Sequence, residues 1–528
     1  MLVDHHTSRG SSSGRSLDLP PGRRHHLHHL PAAWSASPGP LAAAFAAFVA
    51  AHPEYERTAV IDEVRAREFG RLDSLGQVYL DYTGSGLYAE SQVQMHADLL
   101  LGGVFGNPHS ASPTSGESTR LLERSRRRVL EFFHADEDEY AVVFTANASQ
   151  ALKLVGEAYP FAPGDQLLLT FDNHNSVNGI REFDRAHGAR TVYLPMVPPD
   201  LRVDPAALER ALAAATVGGH NLFAYPAQSN FSGVQHPLEW IATAQARGWD
   251  VLLDAAAFVA TNRLDLGRWH PDFVALSFYK MFGYPTGVGA LVARKPALAR
   301  LHRPWFAGGT INVASVQADR FVLAPGVAAF EDGTPDFTNI PAVELGLVML
   351  ESIGVGLIHE RVQLLSGWLL AELAALRHRN GRPLVRLYGP GTTTGRGATL
   401  AMNFHDAAGR VIDHQLVERS AGEQGISLRT GCFCNPGAGE LALGLTRGEI
   451  EHCFAAGDAR MTYDELRRCI DPHEAGAVRV SLGLASNFAD VFAFREYART
   501  LLDARSRSRA VNPRGPAAPA GSSSGTTA

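Results

Sequence analysis

Seven short segments of strand composition recur between stretches of helical length, and they restrict the fold more than any other feature of the chain. They are Tyr140–Thr145, Gln166–Thr170, Thr191–Pro195, Asn221–Tyr225, Asp250–Leu253, Phe273–Ser277 and Ala290–Ala293. Intervening stretches such as 204–216 and 237–247 have helical length and composition. Continuously apolar strands that alternate with helices predict an α/β fold whose mostly parallel, seven-stranded sheet is covered on both faces. Ligands of such sheets bind at the carboxyl ends of the strands.

The pattern changes after about residue 340, where longer helical stretches and fewer strands predict a smaller C-terminal α+β domain. Both chain ends are rich in Ser, Gly and Pro, and the first also in His, as in disordered segments. The His25–His26 pair lies on no periodic segment, which favours a solvated tail over a metal site. The expected divisions are a disordered tail (1–40), an N-terminal segment with the large domain (41–340), the small domain (341–506) and a second tail (507–528).

Charge and cysteine content exclude several classes of protein. The 528 residues include 48 Lys and Arg against 54 Asp and Glu, so the chain lacks the basic excess of nucleic-acid binders. Its four cysteines are too few for a disulfide scaffold, and a reducing cytoplasm fits best. The Ala-rich run Leu41–Ala51 is too short to cross a membrane and leads into charged sequence, which favours a packed helix over a targeting segment.

Lysine is scarce, so each lysine can be examined separately as a candidate site residue. The chain contains only Lys153, Lys280 and Lys295. Lys153 lies in a helical stretch and Lys295 follows Arg294 at a charged strand exit. Lys280, just past an apolar strand and among large apolar residues, is in a setting that lowers the pKa of an amine and suits Schiff-base chemistry.

Two other strand ends carry polar or small residues. After the first strand, Ala148 and Ser149 open a helix, where main-chain N–H groups can bind a phosphate, although residues of this kind are also ordinary helix caps. Asp254 ends a buried strand, and a buried carboxylate needs a partner. The partner of Asp254 could be a protonated ring nitrogen of a ligand. Alternatively, the carboxylate could cap the turn that follows the strand.

Longer motifs carry a specific resemblance. They are Tyr79–Asp81, Asn107–Ser110, Phe223–Gly233, Ser277–Lys280, Phe330–Thr334 and Arg429–Asn435. From about residue 60 to 500 the chain resembles the amino-terminal domain of molybdenum cofactor sulfurases, which belong with the cysteine desulfurases and the class V aminotransferases. The resemblance implies a fold-type-I enzyme that uses pyridoxal 5'-phosphate (PLP) and forms a homodimer with its active sites at the subunit interface.

The resemblance also implies roles for the residues at the strand ends. Lys280 would hold PLP covalently, Asp254 would pair with the pyridine nitrogen, and His174 would stack on the ring. The residues implied for the phosphate are Ala148, Ser149 and Ser277, with Gly309–Thr310 reaching the phosphate of the partner subunit.

The motif from Arg429 to Cys434 decides the chemistry that the resemblance implies. In related desulfurases the catalytic cysteine follows the motif's arginine by five residues, which selects Cys434 and leaves Cys432 as a neighbouring thiol for resolution or transfer. Arg429 and Arg479 are expected to bind the substrate carboxylate, assisted by Asn230. The implied reaction takes sulfur from L-cysteine as a persulfide on Cys434 and releases alanine. A single Cys-x-Cys with no second pair at zinc spacing disfavours a metal site.

Other functions stay open at this point. A PLP-dependent lyase, epimerase or aminotransferase acting on another amino acid would make Cys434 incidental. A non-catalytic sulfur-relay scaffold would have no need of the amine of Lys280. Molybdenum cofactor sulfurases continue into a second, sulfur-delivering domain that is not expected in this sequence, so the sulfur acceptor stays unassigned.

Overall fold

The computed structural model describes residues 38–108, 110–456, 461, 465–466, 469 and 476–503. Both predicted tails and the His25–His26 pair lie outside these residues, except that the first helix begins at Pro38, inside the predicted N-terminal tail. The predicted helix over the Ala-rich run is confirmed, since this first helix continues to Ala51 and buries Phe48.

All seven predicted strand segments form strands, with ends that shift by one residue at most. In chain order the strands are β1 (Val78–Tyr79), β2 (Tyr140–Thr145), β3 (Gln166–Thr170), β4 (Arg190–Leu194), β5 (Met196–Val197), β6 (Arg202–Val203), β7 (Asn221–Pro226), β8 (Trp249–Asp254), β9 (Phe273–Ser277), β10 (Gly289–Arg294), β11 (Ile311–Ser315), β12 (Arg320–Leu323), β13 (Val385–Tyr388), β14 (Thr399–Phe404), β15 (Ile426–Ser427), β16 (Arg429–Gly431) and β17 (Ala477–Ser481).

The helices account for most of the remaining described chain. They are α1 (Pro38–Ala51), α2 (Val60–Glu68), α3 (Arg71–Ser74), α4 (Glu90–Gly102), α5 (Pro113–Phe132), α6 (Ala148–Ala158), α7 (Asn175–Asn178), α8 (Arg181–Ala186), α9 (Pro205–Leu212), α10 (Trp240–Gln245), α11 (Phe278–Phe282), α12 (Lys295–Leu298), α13 (Ile340–Ile353), α14 (Val355–Ala375), α15 (His414–Gly422), α16 (Pro436–Leu443), α17 (Arg447–Ala456) and α18 (Phe488–Thr500), with 3-10 turns at Pro53–Thr58 and Gly326–Phe330.

The central sheet has seven strands in the order β2-β10-β9-β8-β7-β3-β4. Strand β10 is antiparallel to both of its neighbours, and every other neighbouring pair is parallel. The predicted fold class, a mostly parallel sheet within an α/β fold, is therefore confirmed.

Side chains on alternate positions of the central strands enter two different hydrophobic cores. On β8, Val251 and Leu253 pack into one core, whereas Leu252 packs into the other. Because successive side chains of a strand point to opposite faces, the sheet is covered on both faces. This explains why the strands are continuously apolar rather than alternating.

A third core lies around a four-stranded antiparallel sheet, ordered β13-β14-β17-β16. Helices α14 and α18 supply most of its helical side chains, and Phe48 of α1 packs into the same core. Strand β1 pairs with β15, so the N-terminal segment meets the C-terminal part of the chain. The proposed division at residue 340 remains a prediction.

The described residues include one disulfide bond, between Cys453 on α17 and Cys469. This bridge was not predicted, because the cysteine count argued against a disulfide scaffold and the pairing of two cysteines depends on the fold. Cys432 and Cys434 are free. The cytoplasmic location remains a prediction.

Within the described residues, no single helix has the length and apolar composition to cross a membrane, and only the pair α13 and α14, bent by 68° at their junction, passes such a test together.

Candidate active site

A cavity of about 360 Å³ opens at the carboxyl ends of the central strands, where the strand order predicted ligands to bind. Five strand ends each contribute a polar side chain to its lining: Asn147 after β2, His174 after β3, Gln228 after β7, Asp254 at the end of β8 and Lys280 after β9. The volume is in the range of small-molecule and cofactor sites.

One end of the cavity is suited to an anion. Helix α6 begins there, and the N–H of Ala148 donates to the hydroxyl of Ser277 at 3.0 Å. The hydroxyls of Ser149 and Ser176 lie 2.6 Å apart, and both residues line the cavity. A helix N-terminus with several hydroxyl groups can bind a phosphate. Ser176, which sequence analysis missed, follows His174 by two residues on the same loop.

Lys280 lies on α11, one turn after β9, and its side chain lines the cavity. Burial lowers the pKa of its amine, while the carboxylate of Asp254 acts in the opposite direction. At a given pH, a larger fraction of this amine is therefore neutral than in a free lysine. Lys153 and Lys295 are exposed, and Lys153 pairs with Glu157. Lys280 is thus the one lysine of the chain at this site.

His174, after β3, and Asp254, at the end of β8, line the same cavity, and β7 lies between these two strands in the sheet. Burial lowers the pKa of His174, which favours a neutral ring, and its Nδ1 accepts a hydrogen bond from the N–H of Ser176 at 3.1 Å. One oxygen of Asp254 accepts from the N–H of Ala256 at 3.0 Å. A neutral imidazole for stacking, a carboxylate for a ring nitrogen, a lysine and an anion cradle together fit PLP.

Gln228 also lines the cavity, and sequence analysis assigned it no role. Its side chain donates to the main-chain oxygen of Ala257 at 3.1 Å and accepts from Gln235 at 3.1 Å. Its position directly after β7 was the available signal, since strand ends supply the other lining residues.

The loop that carries Cys434 is fixed to the loops of the large sheet. The Asn230 amide donates to the main-chain oxygen of Phe433 at 2.8 Å, and the N–H of Asn175 donates to that of Cys434 at 2.7 Å. The charge of Cys434 is close enough to raise the pKa of Lys280. Cys434 is exposed and Cys432 is half-buried, and burial raises the pKa of the Cys432 thiol.

The backbone between Cys432 and Cys434 is not extended. Phe433 and Cys434 both have a φ of 55°, in the left-handed region, so the chain turns between the two cysteines. The methylene of Cys432 lies near Gly439, on α16. The two thiols therefore lie in different surroundings.

The two arginines of the predicted substrate site meet on the carboxylate of Asp81. Arg429 Nε donates to one oxygen of Asp81 at 3.0 Å, and Arg479 Nη2 donates to the other at 2.9 Å. Arg479 also donates to the main-chain oxygen of Asn230 at 2.9 Å, and Asn230 lines the cavity. Sequence analysis included Asp81 in a motif but gave it no function.

Thr310 is the predicted cofactor residue that does not line this cavity. Its hydroxyl donates to the main-chain oxygen of Ala307 at 2.9 Å, within its own loop. The hairpin β11–β12 follows directly, so Thr310 lies at the base of a projecting element. The other predicted cofactor residues all line the cavity: Ala148, Ser149, His174, Asp254, Ser277 and Lys280.

Comparison with known proteins agrees with this architecture. The family Aminotransferase class-V matches residues 78–494. Molybdenum cofactor sulfurase of Homo sapiens is 37% identical over 458 residues, covering 82% of this chain and 50% of that protein. The Arabidopsis thaliana molybdenum cofactor sulfurase is 36% identical over 474 residues, covering 83% of this chain and 57% of that protein. The chain thus spans about half the length of these relatives.

Solved structures of cysteine desulfurases share the fold. The enzyme from Thermococcus onnurineus NA1 superposes with a TM-score of 0.67 at 22% identity, covering 83% of this chain and 97% of its own. CsdA from Escherichia coli gives a TM-score of 0.65 at 21% identity, covering 84% of this chain and 99% of its own.

Proposed function

Because this chain belongs to the class-V aminotransferase family, we propose that it is a PLP-dependent cysteine desulfurase, related to molybdenum cofactor sulfurase. It takes sulfur from L-cysteine as a persulfide on Cys434 and releases alanine. The observation that carries the proposal is the tethering of the Cys434 loop to the cavity that Lys280 and Asp254 line. An aminotransferase, lyase or epimerase needs no such thiol.

Lys280 would hold the PLP cofactor, the start of α6 would bind its phosphate, and His174 would stack on its ring. When bound, PLP supplies an electron sink for the bonds of the substrate's α-carbon. Asp254 keeps a proton on the ring nitrogen, because a buried carboxylate favours a neighbouring cation. Once the substrate is bound, the amine of Lys280 accepts the proton of the substrate's α-carbon. The lowered pKa of Lys280 makes the neutral amine available for this step.

The substrate enters with its carboxylate on the pair formed by Arg479 and Arg429, next to Asn230. Its sulfur then faces Cys434, whose thiolate attacks it. The carbon–sulfur bond of the substrate breaks and a sulfur–sulfur bond forms on Cys434. The β-carbon receives a proton from solvent, Lys280 returns the proton to the α-carbon, and alanine leaves. The exposed position of Cys434 leaves the persulfide open to an acceptor from solution.

The enzyme acts as a homodimer through exposed apolar residues of α4, of the loop after it and of the hairpin β11–β12. Large apolar side chains are exposed there: Leu101 is 87% exposed, Val104 is 74% exposed and Val316 is fully exposed. Apolar area of this kind on a folded chain favours association. We expect Val316→Asp to yield monomers in light scattering, whereas Val217→Asp, at a fully exposed valine after α9, stays dimeric. If Val316→Asp still formed dimers, with the same affinity between subunits as the wild type, the assignment of this interface would be wrong.

The function is tested by supplying L-cysteine to the PLP-loaded protein and measuring alanine together with sulfur bound to Cys434. Equal amounts of both in a single turnover are expected. Pyruvate, ammonia and free sulfide would indicate a lyase instead. Borohydride reduction followed by digestion should place the pyridoxyl group on Lys280, and its recovery on Lys153 or Lys295 would reject the cofactor assignment.

A further inference from the structure

Asp81 is the common partner of both arginines of the substrate site. It lies two residues after β1, and its side chain is only 9% exposed. Arg429 directs both Nε and Nη2 to one oxygen of Asp81, while Arg479 Nη2 binds the other oxygen. The carboxylate therefore bridges two guanidinium groups in the way that a substrate carboxylate would.

The main chain holds Asp81 in this position. Its carbonyl oxygen accepts hydrogen bonds from the N–H groups of Gly84 at 2.9 Å and Ser85 at 3.1 Å. A Cβ on Gly84 would lie 2.5 Å from an Asp81 oxygen and 2.8 Å from Arg429 Nη2, so the turn needs a glycine for this contact. The geometry of the turn, and not only the rotamer of Asp81, therefore places the carboxylate between the two arginines.

One of the three nitrogens of Arg479 has no hydrogen-bond partner among the described residues. Nη1 binds the main-chain oxygen of Asn230 and Nη2 binds Asp81. Nε of Arg479 is buried and has no hydrogen-bond partner among the residues that the structure describes. An unpaired buried donor on a cation is costly, and a carboxylate would satisfy it.

The net charge of Arg429, Arg479 and Asp81 can be balanced by one further carboxylate. Two guanidinium groups and one carboxylate sum to a single positive charge, which one substrate carboxylate neutralises. Arg429 has its Nε and Nη2 engaged with Asp81, so a second carboxylate beside this edge of the arginine would meet the negative charge of Asp81 at short range.

We propose that Asp81 is a specificity-determining residue that restricts the arginine pair to amino acids with a single carboxylate. The proposal rests on the proposed function, because it takes Arg479 and Arg429 as the site of the substrate carboxylate. Asp81 remains in place when the substrate binds and excludes substrates with an acidic side chain.

The test compares L-asparagine with L-aspartate, which have nearly the same shape and differ in the charge of the side chain. Their affinities for the PLP-loaded protein are measured by titration of the visible absorbance, with calorimetry as a second readout. In the wild type, L-aspartate is expected to bind at least about tenfold more weakly than L-asparagine. Equal affinities in the wild type would overturn the proposal.

Two variants separate Asp81 from other negative charges near the site. In Asp81→Asn, which keeps the size and one acceptor oxygen, the preference for L-asparagine should shrink by about tenfold. In Arg429→Gln, whose residue is half exposed and tolerates change, both ligands should weaken by about tenfold because the net charge falls to zero. An unchanged ratio in folded Asp81→Asn, or unchanged affinities in Arg429→Gln, would overturn the proposal.

Asp73→Asn is the matched control. It removes one of the two carboxylates of another buried arginine, since Arg65 pairs with Asp73 at 2.7 Å and with Asp490 at 2.7 Å. Its ligand ratio should equal that of the wild type. The proposed function fails separately, if the wild type forms no alanine from L-cysteine. A wild type that forms alanine but keeps its ratio in Asp81→Asn would reject the role of Asp81 alone.

Discussion

The side-chain amide of Asn435 donates a hydrogen bond to the main-chain oxygen of Asp172 at 2.6 Å. Asn435 follows Cys434 directly, and Asp172 lies two residues before His174 on the loop after β3. The same amide donates to the side-chain oxygen of Asn230 at 2.9 Å. Asn435 thus joins three loops, and it ties the segment that carries Cys434 to the loops after β3 and β7, although this segment follows a strand of the C-terminal sheet.

The first prediction is that Asn435→Ala slows persulfide formation by about tenfold or more while PLP remains bound, because the loop loses its side-chain contacts to Asp172 and Asn230. Sulfur on Cys434 after a single turnover, quantified by mass spectrometry, measures the effect. Asn380→Ala is the control, since Asn380 also donates to a main-chain oxygen, that of Ala407 at 2.6 Å, but lies on the surface. Equal rates in Asn435→Ala and wild type would show that the thiol needs no tether.

The second prediction is that Asp254→Asn keeps PLP but lowers alanine formation on the order of a hundredfold, because a neutral amide no longer favours a proton on the ring nitrogen. Absorbance confirms cofactor content, and alanine is assayed in the same samples. Asp250→Asn is the matched control on the same strand, where Asp250 pairs with Arg300. Turnover within about twofold of wild type in Asp254→Asn would remove this carboxylate from the mechanism.

The sequence was sufficient for the central sheet because its signals are local. Apolar runs of five or six residues with helical stretches between them leave few alternatives to a covered parallel sheet. The reversed direction of β10 between β2 and β9 left no such signal, since an apolar strand has the same composition in either direction. Likewise, nothing local indicated that Phe48 of α1 would pack in the C-terminal core.

The residues of the candidate site also divide into those that could be predicted from the sequence and those that could not. Lys280 and Asp254 were predicted because they lie just past and at the end of a strand, whereas His174 was implied by the resemblance, and the structure brings all three to one cavity. The role of Asp81 was missed, since its two arginine partners lie 348 and 398 residues further along the chain. The left-handed backbone of Phe433 and Cys434 was missed too, because neither residue type favours that conformation.

The third prediction concerns the pH dependence of stability in the protein without PLP. Burial lowers the pKa of Lys280 in the folded state below its ordinary value of 10.5. Between the lowered pKa and 10.5 the unfolded chain binds more protons, so the contribution of Lys280 to the free energy of unfolding rises with pH and is constant above that window. Each pKa unit corresponds to about 1.4 kcal/mol.

Lys280→Met removes this contribution. The free energy of unfolding of the wild type minus that of Lys280→Met should therefore increase as the pH rises towards 10.5, as measured by urea denaturation. Lys153→Met, at an exposed lysine paired with Glu157, serves as the control and should show no comparable slope. Parallel pH curves for the wild type and Lys280→Met would mean that the amine is not desolvated in the fold.

The fourth prediction separates the two thiols. Cys434 is exposed, whereas burial raises the pKa of Cys432 and so lowers its thiolate fraction at neutral pH. Cys434→Ser should bind L-cysteine but lose alanine release by about a hundredfold, because a hydroxyl cannot take up the sulfur. Cys432→Ser should form the first persulfide within about threefold of the wild-type rate and affect mainly the later transfer of sulfur.

An alkylating probe applied after one turnover, followed by mass spectrometry, identifies the cysteine that carries the added sulfur. The turn at Phe433 and Cys434 separates the two thiols, and Cys432 lies towards α16. A persulfide on Cys434 alone is therefore expected in the wild type and in Cys432→Ser. Sulfur on Cys432 alone would reverse the assignment. Sulfur on neither residue, with pyruvate and ammonia as products, would favour a lyase, because the substrate sulfur would then leave without meeting a protein thiol.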